Sequence, residues 1–351
     1  MRIDKAYCMS SYLAFRYVHD QETYFKEGLI HHDHPLIEDG EKAPCRTAEE
    51  IDQNIQKILG QVDLSKSALF LSGGMDSAIL AAYMPAGTKA YTARCVGKNA
   101  VDETEQARRI CEINHLEHVI VDVEWKDYAD LMDELMLHDG SPTIPNEPQA
   151  YKMARQAKAD GAVSVVYGDC ADTEFGGMDR LLSKDWSYGE WVERFSFLDP
   201  KRVLKDPVDV SSVYDLYRVG EDGIDFIAFI SEVYAASAAG ALSNACKCAG
   251  LQCVDPYERL KMAEPLDLKR VRSGESKYLI RDLFRMKYPE LKVPEKLPMS
   301  RPMEDWMKAW KGPKRAEFLP GCIEGLTGEQ KFLVYSLEHF LDLMAIGDIK
   351  T

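Results

Sequence analysis

Two stretches of the chain combine residue types that can do chemistry: Leu71-Ser72-Gly73-Gly74-Met75-Asp76-Ser77 and Tyr167-Gly168-Asp169-Cys170-Ala171-Asp172-Thr173-Glu174-Phe175-Gly176-Gly177. In the first, the paired glycines let the backbone turn tightly and approach a ligand without a Cβ clash. Backbone N–H groups and the start of a following helix then form an anion hole, and Ser72 and Ser77 add hydroxyl donors. Asp76 would repel a phosphate on its own. It makes sense if it holds a Mg²⁺ that bridges to phosphates. A plain Gly-Gly turn capped by Asp or Ser is the simpler alternative. No Gly-Lys-Ser/Thr follows, which argues against P-loop transfer of a γ-phosphoryl group. In the second stretch, Asp172 faces Asp76 across one metal if both loops leave the carboxyl edge of a parallel sheet.

The elements that must position these loops follow from periodicity. Residues 67–71 form a short apolar run ending in Ser-Gly-Gly, and 78–84 follow as a helix. Strand patterns at 89–96, 118–123 and 162–167 alternate with helical ones at 103–114, 128–137 and 149–158. This order predicts an α/β fold, a doubly wound parallel sheet with helices on both faces. Upstream, Thr47 with Glu50 three residues on forms a capping pattern for a helix carrying Ile51, Ile55, Ile58 and Leu59. After about residue 180 strand signals fade and helical patterns dominate, at 224–242, 277–287 and 328–343. The organisation read from these patterns is a lead-in or hairpin segment over 1–45, an α/β core over 46–180 and a helical portion over 181–351 that completes the site.

Composition limits the partners. The 351 residues carry 43 Lys+Arg against 58 Asp+Glu, a net charge of −15. An acidic chain without a basic stripe repels nucleic-acid backbones, so no nucleic acid is expected. The charged N-terminus lacks a signal-peptide core. The apolar stretch 224–242 contains Asp225 and Glu232 and reads as a buried helix, not a membrane span. Nine cysteines without framework spacing point to reduced thiols and a cytoplasmic location. Cys246, Cys248 and Cys253 have no fourth ligand at matching spacing and read as core residues rather than a metal site. The run His31-His32-Asp33-His34 reads as a solvated turn. Trp306 and Trp310 permit a partner surface.

The first loop resembles the pyrophosphate-binding loop of the ATP pyrophosphatases. The second is similar to G-D-G-A-D-E-L-F-G-G of the asparagine synthetase family's synthetase domain. Further likenesses are Asp102-Glu103 with Ala107-Arg108 and His118, Asp139-Gly140-Ser141-Pro142, Gly250-Leu251-Gln252-Cys253-Val254-Asp255-Pro256-Tyr257 (G-L-E-V-R-V-P-F), Ser276-Lys277-Tyr278-Leu279-Ile280-Arg281 (G-K-Y-L-L-R), and Pro302 to Trp306. The resemblance implies an ATP-dependent amide-forming synthetase of the adenine nucleotide α-hydrolase type. It implies ATP and Mg²⁺ as cofactors, with the metal on Asp76 and Asp172. Pyrophosphate would lie on Ser72, Gly73, Gly74 and Ser77, and the adenine near Leu71 and 91–95, beside Gly168. Lys277 matches the catalytic lysine, and Asp169 the position of the base. The substrates implied are a small-molecule carboxylate and ammonia or an amine. Arg2 follows Met1 where glutamine-using members carry a cysteine, so the nitrogen would come from free ammonia, a partner glutaminase or an amine on the substrate. Thr173, Glu174, Val254 and Arg259 depart from the family pattern and put aspartate in doubt as the substrate. A tRNA-modifying ATP pyrophosphatase and a non-catalytic protein that kept the fold are the other readings.

Overall fold

The computed structural model describes residues 2–29, 31, 36–294 and 301–346. At its centre are strands β2 (Ser67–Phe70), β3 (Lys89–Cys95), β4 (Glu117–Val123), β5 (Ser164–Val166) and β6 (Gln252–Val254). All pair in parallel, in the spatial order β6-β5-β2-β3-β4. The chain lays β2, β3 and β4 outward in one direction and then returns to place β5 on the other side of β2. The direction therefore reverses between β2 and β5, and the loops after these two strands open side by side at the carboxyl edge.

Side chains of β2 alternate between two cores, as a strand covered on both faces requires. Leu69 packs with α2 (Ala48–Leu59), α3 (Met75–Ala81), α4 (Thr104–Asn114) and α9 (Tyr278–Lys287). Ala68 and Phe70 pack with α5 (Trp125–Asp139), α6 (Glu147–Ala159) and the C-terminal part of α8 (Phe226–Cys248). The Thr47 cap forms as the sequence predicts: its hydroxyl accepts from the Glu50 N–H at 3.3 Å.

Three expectations are corrected. The lead-in is not a hairpin: it carries α1 (Lys5–Phe15), in which every residue from Tyr7 to Phe15 is buried. The segment packs in a third core with α10 (Gly328–Ile346). Strands do not end near 180 either. β6 completes the sheet, and β7 (Leu260–Met262) pairs in parallel with β1 (Ala43–Cys45). His31 is 7% exposed rather than solvated, its ring nitrogens 3.0 and 3.1 Å from the carbonyls of Gly140 and Thr23. His32, Asp33 and His34 lie outside the described residues. Cys246 is buried at the end of α8, with Cys248 and Cys253 half-buried near it.

Among the described residues α8 is the one helix long and apolar enough by length and composition to cross a membrane. More than half of that apolar window is buried within the protein. It contains one π turn, Ile230–Tyr234.

α9 carries Lys277 at its start, so its packing matters for the site. Leu283→Ala, at a fully buried position, should lower unfolding stability by about 2–5 kcal/mol. Met286→Ala, on the exposed side of the same helix, should change it by less than about 0.5 kcal/mol. Denaturant midpoints of the two variants check this.

Candidate active site

The three segments singled out in the sequence meet at one ammonium. Lys277 Nζ lies 2.6 Å from Asp76 Oδ2, in the first turn of α3, and 2.6 Å from Asp172 Oδ1, in the short turn α7 (Ala171–Glu174) after β5. The lysine side chain is 5% exposed. Burial works against its charge, but the two carboxylates outweigh burial and hold the pKa above the usual lysine value. Lys277 itself sits at φ 51, ψ 42, a left-handed conformation that costs a non-glycine residue about 1–2 kcal/mol. Gly177 closes the cluster: a Cβ there would stand 2.1 Å from Asp172 Oδ1 and 2.7 Å from Lys277 Cδ.

The first loop is knitted by its own hydroxyls. The Ser72 N–H donates to Ser77 Oγ at 3.1 Å, the two hydroxyls are 2.9 Å apart, and the Gly74 N–H donates to Ser72 Oγ at 3.1 Å. The Gly73 N–H donates to Glu103 Oε2 at 3.0 Å, a role for Glu103 that sequence reasoning missed. Burial pushes the Glu103 carboxyl pKa up. Leu71 uses both backbone groups in the sheet region: its N–H donates to Tyr91 O at 2.9 Å, and its carbonyl accepts from Thr92 Oγ1 at 2.7 Å. Leu71 therefore presents a wall to the site and not a free N–H.

Beside this loop opens a cleft lined by residues of both loops and of β3. Leu71, Ser72, Asp76, Ser77, Gly168 and Asp169 all line it. Gly168 admits no side chain, because a Cβ would lie 2.8 Å from Tyr257 Cε2.

Asp255 is the other residue that sequence reasoning passed over. Its carboxyl accepts the N–H groups of Asp169, Cys170 and Tyr257, each at 2.9 Å. Burial, together with the charges of Asp169 and Glu258, pushes its pKa up to about 8 against those hydrogen bonds. The sequence signal was an acid at an apolar position of the motif around Pro256. Glu174, one of the departures from the family pattern, has a structural reason: Lys42 Nζ lies 2.5 Å from its Oε1, and both side chains are 8% exposed.

The asparagine synthase family profile matches residues 62–243, just over half of the chain. The chain belongs to the asparagine synthase family. That membership supports, in general terms, an ATP-using, amide-forming synthetase. No curated protein matches the chain. Among solved structures, it is similar to the NH3-dependent NAD synthetase from Campylobacter jejuni in complex with nitrate. The two share 18% identity at a TM-score of 0.24, over 72% of this chain and 97% of that one. The synthase-family loops, Ser72 to Ser77 and Gly168 to Asp172, are the ones the fold brings together at its switch point.

Two variants probe this geometry. Gly177→Ala should leave the fold intact but force Asp172 and Lys277 apart, lowering ATP turnover by ~100-fold or more; circular dichroism and an ATP-consumption assay read the two effects separately. Glu174→Gln addresses titration. Burial pushes the Glu174 carboxyl up to about 7, with Lys42 opposing. A raised folded pKa contributes stability that is present at low pH and lost as pH rises from the unfolded value near 4.5 to about 7. The variant should therefore flatten that fall, measured as unfolding stability from pH 4 to pH 8.

Proposed function

We propose that the protein adenylates a substrate carboxylate with ATP, releasing pyrophosphate, and passes the acyl group to ammonia or an amine. The observation that carries this reading is the Lys277 ammonium held between Asp76 and Asp172 where the two loops meet.

The residues suit the chemistry. ATP lies in the cleft with its adenine against Leu71 and β3. Its β- and γ-phosphates lie over Ser72, Gly73, Gly74 and Ser77. The Gly73 N–H becomes available to them only when the Glu103 carboxylate moves aside. A carboxylate oxygen of the substrate attacks the α-phosphorus. The new P–O bond forms as the bond to the bridging oxygen breaks, and pyrophosphate leaves. Lys277, a flexible cation already among carboxylates, shifts toward the charge that develops on the α-phosphate. Asp169, on the cleft wall, accepts the proton that the attacking nitrogen loses as the C–N bond forms and AMP departs.

The donor set fits Mg²⁺. Asp76 and Asp172 offer hard oxygen atoms that already converge on one cation, and Mg²⁺ typically takes one or two carboxylates with the rest from phosphates and water. The described residues hold no cluster of three or more His, Cys, Asp or Glu side chains that could hold a metal ion. Asp76 and Asp172 would hold the ion, which would supply charge neutralisation on the phosphates.

The test is pyrophosphate release from ATP and Mg²⁺ across a panel of carboxylic acids, with and without ammonium. AMP and pyrophosphate should appear together with an acceptable acid. Asp76→Asn should reduce release by ~100-fold or more. Lys277→Ala should keep ATP binding while slowing adenylation by ~100-fold. Normal turnover in Asp76→Asn would remove the metal assignment, and no ATP binding by the wild-type chain would overturn the whole reading.

A further inference from the structure

Two cysteines that the chemistry above leaves unused stand together behind the ATP cleft. Cys246 lies in the last turn of α8 and is buried; Cys253 is the central residue of β6 and is half-buried. The Leu251 N–H donates to Cys246 O at 3.0 Å, which ties the end of the helix to the start of the strand. Leu251 and Cys253 then both pack against Cys246, with Leu242 and Tyr167, in one core. Cys253 Sγ lies 3.8 Å from Ser243 O and 4.0 Å from Ser243 Oγ, one turn before Cys246 on the same helix. The two thiols share a hydrogen bond.

The pair has no third member that would make it a metal site. Cys248 Sγ turns instead to Glu134 O, 3.7 Å away, and the described residues hold no group of three or more His, Cys, Asp or Glu side chains that could hold a metal ion. Cys253 also stands where the pattern G-L-E-V-R-V-P-F has its first valine, so the thiol replaces an apolar side chain that packing alone would accept.

The two sulfurs are unequal. The hydrogen bond from Cys246, helped by Ser243, Tyr167 and the charge of Lys247, holds the Cys253 pKa below the usual thiol value although burial opposes it. The same bond, with burial, holds the Cys246 pKa well above that value. Oxidants react with the thiolate. Cys253, the more ionised and the more exposed, is the attacking sulfur, and Cys246 is placed to resolve it.

We propose that Cys253 and Cys246 form a site of reversible oxidative modification, closing to a disulfide with a peroxide as the oxidant. The Cys253 thiolate attacks one peroxide oxygen. The S–O bond forms, the O–O bond breaks, and the hydroxide that leaves takes up a proton as water. The Cys246 sulfur then attacks the sulfenic sulfur. The S–S bond forms, the S–O bond breaks, and the second oxygen leaves as water with the Cys246 proton. Two thiols lose two electrons, and one peroxide becomes two waters. A dithiol reductant reverses the step by exchange.

The bond would be felt in the ATP cleft. It brings the sulfurs from contact to about 2.05 Å and draws β6 toward α8. Val254, next in the strand, accepts the Tyr167 N–H at 3.0 Å, and Asp255 holds the N–H groups of Asp169 and Cys170. Tyr167, Asp169 and Leu242 line the cleft. Oxidation therefore displaces the loop after β5 and weakens ATP binding. This consequence rests on the function proposed above; the disulfide does not.

The reduced full chain is treated with equimolar hydrogen peroxide, and non-reducing peptide mapping by mass spectrometry reads the product. The product should have lost two hydrogens and should join Cys246 to Cys253, and dithiothreitol should restore both thiols. Cys246→Ala should stop at a sulfenic acid on Cys253, trapped by dimedone. Cys253→Val should form no link and should leave the ATP affinity of the reduced chain unchanged. Titration calorimetry with ATP and Mg²⁺ should show ~10-fold weaker binding after oxidation of the wild type, and no change in Cys253→Val. No link, a link between other cysteines, or an undiminished peroxide effect in Cys253→Val overturns the proposal. A link that leaves ATP affinity unchanged overturns its coupling to the cleft. A link in a chain that binds no ATP even when reduced supports the modification site and overturns the synthetase reading.

Discussion

The arrangement depends on one buried ammonium. Lys277 and Asp76 are 201 positions apart in the chain, and Asp172 comes from a third segment. Removing an ammonium from water costs several kcal/mol, recovered only when charge and hydrogen bonds are well placed. Both carboxylates are therefore required, and so is everything that delivers them. The strand reversal between β2 and β5 sets the two loops side by side. Gly177 must lack a Cβ to let the three groups close. Lys277 must take a left-handed backbone, a strain that persists only where surrounding structure enforces it. Here α9 enforces it, packed against α2 and α3 through Ile280, Leu283 and Phe284.

The neighbourhood carries more carboxyl groups than cations. Asp169 and Asp255 stand near the Asp76–Asp172 pair, Glu258 is close enough to raise the Asp255 pKa, and Lys42 is engaged by Glu174. Asp255 registers this crowding, its pKa pushed up although three N–H groups favour its charged form. A bare polyphosphate would meet net repulsion here. A polyphosphate that arrives with a divalent cation would not, because the cation supplies the charge that Lys277 alone cannot. The same excess of acid explains why Lys42 is brought in from the N-terminal segment. A buried Glu174 without it would add another uncompensated carboxylate beside the loop.

Much of this was readable from local sequence. The Gly-Gly loops follow apolar runs, the βα alternation is regular, and the Thr47 cap forms with Glu50 as the spacing demands. What was not readable shares a physical cause. Helix α1 is buried nearly all round, so it has no amphipathic stripe to reveal it. Strand β6 has three residues, too few to establish a period of two, and it follows directly on a helix. His31, Asp255 and the Lys42–Glu174 pair each depend on at least one partner far away in the chain, and such pairings leave no local pattern. The left-handed backbone at Lys277 is imposed by tertiary packing against its intrinsic preference.

Helix α8 shows how one composition serves two ends. Its alanine-rich run looks like simple core filler, and Ala245 and Cys246 do pack against the sheet with Leu242. One turn earlier the same small side chains, from Ala236 to Ala241, leave a space instead of filling it. The π turn over Ile230–Tyr234 lies immediately before this stretch. Tyr234 there feels the charges of Arg16, Asp169 and Asp172 together, with burial pushing its hydroxyl up to about 12. π turns persist where an added residue in the turn serves the site more than regular hydrogen bonding would.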